Sequence, residues 1–255
     1  VPVMALPQHV DPWPARHPLH VKTLDENLAA LKALKIEDLR NFHRDFYGTS
    51  VGEIAIVGDF DPVAVRKQLE SLFTEWKSPK AYAPIGTRFT DVAARQERFE
   101  TPDKPNAVLL ARHNLPLRVT DADYPALLTA NRIFGGGALK SRLGDRIRQK
   151  EGLSYGVSSG IRADDSREGK DDAGSFSIQA IAAPQNMAKV EAAVREELAR
   201  LVKDGITEEE LRDAVGLLVE LAVGHRLAAA GHDVGRLVGM GAGVMIGMHD
   251  GRIRA

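Results

Sequence analysis

The chain has 255 residues, of which 44% are hydrophobic and 27% charged, and its formal net charge is -1. That length is enough to bury a sizeable core as one large domain or two small ones, and the near-neutral balance gives no global field for nucleic acid or an anionic membrane. The absence of cysteine excludes disulfides, thiolate metal sites and a cysteine nucleophile, and it suits the cytoplasm and an oxidising compartment equally.

The opening "VPVMALPQHVDPWPARHPLH" is rich in proline and lacks the basic region and apolar stretch of a signal peptide. "TLDENLAALKAL" carries Leu24, Leu28, Leu31 and Leu34 at helical spacing. "IEDLRNFHRDFYG" follows, with Ile36, Leu39, Phe42 and Phe46 on one face and Gly48 placed to stop the helix. "EIAIVGDFD" reads as a short buried strand ending in a turn. Asp61 then caps a helix with Pro62 at its first position and Val65, Leu69, Leu72 and Phe73 as its apolar face.

"KSPKAYAPIG" has two prolines and no periodicity, which marks a linker. Beyond it "QERFETP" and "NAVLLARHNLP" read as strands. "DYPALLTANRIFG" reads as a helix running into three glycines, and "LKSRLGDRIRQK" as a second with Leu139, Leu143 and Ile147 on its buried side. Gly152 supplies a cap before the strand in "LSYGVSSGIRA", and "GSFSIQAIAAP" is a strand to pair with it. Two amphipathic helices close the pattern, "QNMAKVEAAVREELARLVKDG" and "TEEELRDAVGLLVELAVG", the second with a Thr207/Glu210 capping box. Clusters of strands and of helices, rather than strict alternation, indicate an α+β fold. The longest apolar run near the end, "LVGMGAGVMIGM", is about 12 residues and too short to cross a bilayer, so the chain reads as soluble.

Several short motifs are decoys. "HRDF" at 43–46 and "GDFD" at 58–61 resemble kinase pieces, but the first lies in a helical pattern with no asparagine at the required spacing, and residue 61 is Asp rather than Gly. "GGGALKS" has Leu139 where a phosphate loop needs Gly before the lysine. The eight histidines include His17 and His20, three apart, and His225, His232 and His249, but no His-x-x-Glu-His or His-Glu-x-x-His. Those spacings bring two imidazoles and a general-base Glu together on one helix face. No metal site is therefore expected in this chain.

The stretch "FGGGALKSRLGDRIRQKEGLSYGVSS" resembles a segment of the insulinase-like (pitrilysin) zinc peptidases and the mitochondrial-processing-peptidase-like proteins. "HPLHVKTLDENLAALKALKIEDLRNFHRDFYG", "AIVGDFDPVAVRKQLESLFTEWKSP" and "PQNMAKVEAAVREELARLVKDGITEEELRDA" are similar to stretches of bacterial members in the same order, and the likeness covers about residues 15–215. The resemblance implies processing-peptidase-like units, each a mixed, mostly antiparallel sheet backed by helices. Residues 1–76 would be the C-terminal half of one unit, 77–94 a linker and 95–255 the following unit. It also implies a periplasmic setting and a zinc-bearing unit, outside this chain, that faces this one across a chamber for unfolded or extended peptide.

By the same resemblance Arg148 and Tyr155 are the pair that reaches the scissile peptide. Gly135, Gly136, Gly137, Lys140 and Ser141 belong to a loop that contacts extended substrate. The chemistry suits the pair. Peptide hydrolysis passes through a tetrahedral oxyanion, and preorganised donors aimed at it lower the barrier. Arginine is always cationic with several N–H donors, and tyrosine offers a neutral O–H on a rigid ring. Spacing alone favours Arg148 as a solvated helix residue and Tyr155 as a half-buried strand residue. Glycine backbone can pair with a peptide, or serve only as a turn.

The zinc motif is missing, and after about residue 215 the glycine-rich tail departs from the family pattern, lacking the later helices and closing strand. Two readings remain. One is a non-catalytic half of a zinc peptidase that contributes substrate contacts and transition-state donors, with no zinc of its own and no activity alone. The other is a structural or binding member of the superfamily, like the core subunits of respiratory complexes.

Overall fold

The computed structural model describes residues 2–101, 103–137, 140–166, 171–215, 243–249 and 252–254. In chain order the elements are helices α1 (Pro2–Val10), α2 (Leu24–Ala33) and α3 (Ile36–Phe46), strand β1 (Val51–Val57), helix α4 (Pro62–Phe73), strand β2 (Ala107–Pro116) and helix α5 (Tyr124–Asn131). Two π-helical segments follow, π1 (Arg132–Gly136) and π2 (Gly144–Lys150), then strands β3 (Ser154–Arg162) and β4 (Ala173–Ala182) and helix α6 (Met187–Asp204). A helix over 208–215, α7, and strands β5 (Gly243–His249) and β6 (Arg252–Arg254) complete the described residues. The fold is α+β. Packing divides the chain into two compact units, residues 1–28 with 85–216 and residues 29–84 with 217–255.

The larger unit is built on an antiparallel sheet of order β2-β4-β3. β4 is central, pairing along its whole length with β2, from Ala107 opposite Ala182 to Pro116 opposite Ala173. The strand pleat sends Ile178, Ala180 and Ala182 to the helical face, where they meet Phe134, Leu143 and Ile147 and, from α6, Val190, Ala193 and Val194. Phe134, Leu143, Ile147 and Val190 are fully buried. Each such side chain contributes about 1.5–3 kcal/mol relative to leaving it exposed. α6 shows Val190, Ala193, Val194 and Glu197 to the interior, the spacing expected of an amphipathic helix.

The same unit contains a helix that the proline-rich start had concealed. α1 includes Pro7, which forfeits one i→i−4 bond, and the helix end is held from outside. Asn114 Nδ2 donates to the Val10 carbonyl at 2.6 Å and to the Thr90 carbonyl at 3.1 Å, while Arg112 forks onto Asp11 at 2.8 and 3.0 Å. The expected strand over "QERFETP" does not form. Among the described residues, 77–106 contain no helix or strand. In that segment Arg95 pairs with Glu97 and Arg98 with Glu100, two residues on. The alternation that suggested a strand is satisfied within the extended chain and has no partner strand.

In the smaller unit Asp61 accepts from the N–H groups of Val63 (2.8 Å) and Ala64 (3.2 Å), as its capping role required. β1 pairs antiparallel with β5 over Val51–His249 to Val57–Gly243, and β6 pairs with β5. The tail supplies strands, the Val244–Ile246 run being rich in strand-forming residues, but they join β1 and add nothing to the β2-β4-β3 sheet. Leu31, Ile36, Leu39 and Phe42 fall on helices as expected, while Leu34 lies just past the end of α2; all five are exposed, and neither α3 nor α4 buries a residue.

Candidate functional site

The site is assembled on the stretch 132–162 of the larger unit. π1 closes with the Gly137 N–H on the Arg132 carbonyl and π2 with the Glu151 N–H on the Arg146 carbonyl, both at 3.0 Å and both spanning five residues. Such wide turns are rare and frequent at functional sites. The helix expected over 139–150 is corrected accordingly: its described part starts after Ser141 and is mostly π-helical. Leu139 lies outside the described residues. Ser141 caps the segment, its Oγ accepting from the Gly144 N–H at 3.2 Å. Gly152, with φ near +60°, turns the chain into β3, a conformation that glycine adopts without the Cβ penalty.

β3 carries an irregularity that periodicity alone does not reveal. Ser154 pairs with Ala182 and Gly156 with Ile181, so Tyr155 is the extra residue of a β-bulge. A bulge re-aims the side chain it carries, and Tyr155 is 67% exposed. Opposite it, Gln179 and Ile181 alternate with the core residues of β4 and therefore face away from α6. Gln179 donates to Ser158 Oγ at 3.1 Å.

π2 separates two very different surroundings. On one side Arg142 and Arg146 are paired with carboxylates. Arg142 forks onto Glu210 at 2.6 and 2.7 Å and donates to the Gly205 carbonyl at 2.8 Å. Glu210 also accepts from the Thr207 N–H and hydroxyl, while Thr207 Oγ1 accepts from the Glu210 N–H, so the expected capping box forms. The Arg142 guanidinium, with help from Thr207, holds the Glu210 carboxyl down to about 2. Arg146 meets Glu151 at 2.9 Å, Glu197 at 3.3 Å, and Glu196. These carboxylates, Glu151 foremost, push its guanidinium further above its usual range. Glu197 is only 3% exposed and is also paired with Arg200 at 3.0 Å.

On the other side lies an open cleft of about 310 Å3, lined by Arg148, Gln149 and Ser141, by Tyr155, Gly156 and Ser158 of β3, and by Gln179 and Ile181 of β4. Arg148 is exposed. Neither its guanidinium nor the Tyr155 hydroxyl has a hydrogen-bond or ion-pair partner among the described residues. The cleft wall contains Arg148 and, among the described residues, no carboxylate. It can therefore present cationic and neutral donors to a developing or permanent negative charge.

The structure treats the expected site residues unequally. Arg148, Tyr155, Gly137 and Ser141 line this one cleft. Gly135 is buried elsewhere: a Cβ there would lie 2.7 Å from Ser159 Oγ and 2.8 Å from Leu143 Cδ1, so close packing demands glycine. Gly136 is exposed, and Lys140 is exposed and ion-paired with Asp213; neither lines the cleft. Sequence reasoning missed Arg142 and Arg146: Glu210 lies 68 positions from the first and Glu196 lies 50 from the second, although Glu151, also on Arg146, is only five away. The bulge and Gln179 were missed as well, since neither leaves a local signature.

The described histidines include His9, whose Nε2 lies 2.8 Å from the Ala93 carbonyl oxygen, and His43, which stacks on Tyr47 and Trp76. His17 stacks on Trp13 with ring centroids 4.1 Å apart, and His20 Nδ1 lies 2.8 Å from the Trp13 carbonyl oxygen. His225 and His232 lie outside the described residues. Among the described residues no group of three or more metal-ligating side chains converges, and no helix is long and apolar enough to cross a membrane.

Comparison with known proteins places this geometry in context. Residues 33–218 match the family described as the peptidase M16 inactive domain. The chain is 30% identical over 194 residues to the uncharacterized zinc protease of Streptomyces coelicolor, covering 74% of this chain and 40% of that protein. It is 40% identical over 83 residues to the uncharacterized zinc protease of Mycobacterium leprae, covering 32% of this chain and 17% of that protein. The chain thus spans well under half the length of these relatives. Among solved structures, the peptidase M16 inactive domain from Pseudomonas fluorescens is similar with a TM-score of 0.66 at 22% identity, over 92% of this chain and 56% of that one. A protease from Helicobacter pylori is similar with a TM-score of 0.60 at 18% identity, over 88% and 57%. At these identities the likeness concerns the fold.

Proposed function

Because the chain belongs to the peptidase M16 inactive-domain family, we propose that it is the non-catalytic half of a zinc metallopeptidase and lends Arg148 and Tyr155 to chemistry carried out against a separate zinc-bearing unit. The described residues of this chain do not fit a zinc site, so in this reading the metal is held by that other unit, and the chain alone hydrolyses nothing.

What this chain supplies is a pair of donors. When water adds to a peptide carbonyl, negative charge gathers on the carbonyl oxygen. Donors already in place lower that barrier because they need no reorganisation at the moment of reaction. The observation carrying the reading is that Arg148 and Tyr155, from different elements, line one cleft with neither donor engaged among the described residues. Their neighbours Arg142 and Arg146 are consumed by carboxylates. Extended peptide, lying along the cleft past Gly137 and Ser141, would bring a carbonyl within reach.

The test is Tyr155→Phe in the chain assembled with a zinc-bearing M16 unit. Loss of the hydroxyl alone should lower turnover by roughly 10²–10³-fold, the scale of deleting one oxyanion donor. KM should change less, because the contact strengthens mainly in the transition state. Wild-type turnover would show that the ring is structural and would favour a scaffold role for the chain.

A further inference from the structure

We infer that the Arg148–Tyr155 cleft is also a product site, holding the newly formed C-terminal carboxylate of a cleaved peptide. The inference rests on the donor reading of that pair and extends it from a transient charge to a permanent one. In hydrolysis the oxygen of water joins the carbonyl carbon and the C–N bond breaks. One product leaves with a carboxylate and the other with an ammonium, so the two hydrogens of water end on the amine. The carbonyl oxygen that carried the transient charge becomes one of the two carboxylate oxygens. Donors placed for the first therefore meet the second in nearly the same position, and charge-assisted hydrogen bonds to a full anion are the stronger kind.

The surroundings favour an anion of this class. Arg148 provides a planar fork that matches a carboxylate, and it has no ion-pair partner among the described residues. The cleft wall holds no competing carboxylate among the described residues. Asp145, within π2, accepts from Gln149 at 3.2 Å, whereas the glutamates near π2 sit on its other side: Glu210 on Arg142, and Glu151, Glu196 and Glu197 on Arg146. Their charge is spent there, so the positive charge of Arg148 is not cancelled locally. Tyr155 adds a neutral donor on the same wall. Because the bulge, and not a metal, aims Tyr155 into the open, binding needs only this chain.

The inference is tested with the 255-residue chain and short, N-terminally labelled peptides of neutral residues, read by fluorescence anisotropy. Three peptides are compared: one with a free C-terminus, its C-terminal amide, and an amide whose last residue is Glu. The free acid should bind about tenfold more tightly than the amide, the lower end for hydrogen bonds to a charged group. That preference should shrink as salt is raised, because the site is open to solvent. Arg148→Gln should abolish the preference and Tyr155→Phe should reduce it. Lys150→Gln, on the charged side of π2, should leave it intact. Equal binding of acid and amide overturns the inference. So does equal binding of the free acid and the Glu amide, which would make the cleft a reader of acidic side chains. Acid and amide binding alike while Tyr155→Phe still lowers turnover would remove the product site and leave the donor role standing. A clear acid preference with turnover unmoved would do the reverse.

Discussion

The two sides of π2 hold arginines two residues apart in sequence with opposite situations. Arg146 faces α6 and is bound by three carboxylates, one of them the nearly buried Glu197, while Arg148 faces the open cleft and is bound by none among the described residues. The same contrast holds between Arg142, locked to the Glu210 capping box, and Tyr155, turned outward by a bulge. A saturated cation beside a buried carboxylate serves the fold. An unpaired one, in a cleft with no carboxylate among the described residues on its wall, is open to a ligand in the proposed reading.

That comparison breaks most visibly on stability. Arg146→Met leaves Glu197 with Arg200 alone and should cost roughly 1.5 kcal/mol, the low end for losing a hydrogen bond to a charged group, since the carboxylate keeps one cation. Arg148→Met should stay within about 0.5 kcal/mol, as for a surface change with no partner to lose. Urea midpoints measure both, and equal losses would erase the distinction. The double variant Arg146→Met with Glu197→Leu sharpens it, since replacing both members by apolar groups should recover most of the loss.

A smaller effect follows from Glu210. Its carboxyl sits near 2 in the fold against an ordinary value of 4.5, so protonation is harder in the folded state. The stabilisation is complete above about pH 4.5 and is lost as pH falls toward 2. Glu210→Gln should flatten that portion of the stability profile measured by urea midpoint against pH, and an unchanged acid limb would show that the Arg142 contact contributes nothing.

Much of the larger unit was legible because its signals are local. Leu143 and Ile147 repeat at helical spacing and are both fully buried, Thr207 and Glu210 announce their own cap, and β2, β3 and β4 have strong strand composition. Arg148 and Tyr155 were singled out as a pair by resemblance alone; spacing favoured a solvated arginine and a half-buried tyrosine. What stayed hidden depends on partners distant in sequence. A π turn uses the same apolar positions as an α turn, so nothing in residues 144–150 distinguished them. The bulge exists only relative to β4, and the Arg142–Glu210 pair spans 68 residues. "QERFETP" misled for the same reason, because alternation cannot say whether a partner strand exists. Gly135 looked like a member of a substrate loop, yet the space that requires it is set by Ser159 and Leu143.

Whether the cleft side of π2 serves chemistry or only the fold is decided by the turnover of Arg148→Lys in the chain assembled with a zinc-bearing M16 unit. Lysine keeps the charge but loses the planar fork. Turnover should fall while the urea midpoint stays unchanged; wild-type turnover would make Arg148 a surface residue with no part in the chemistry.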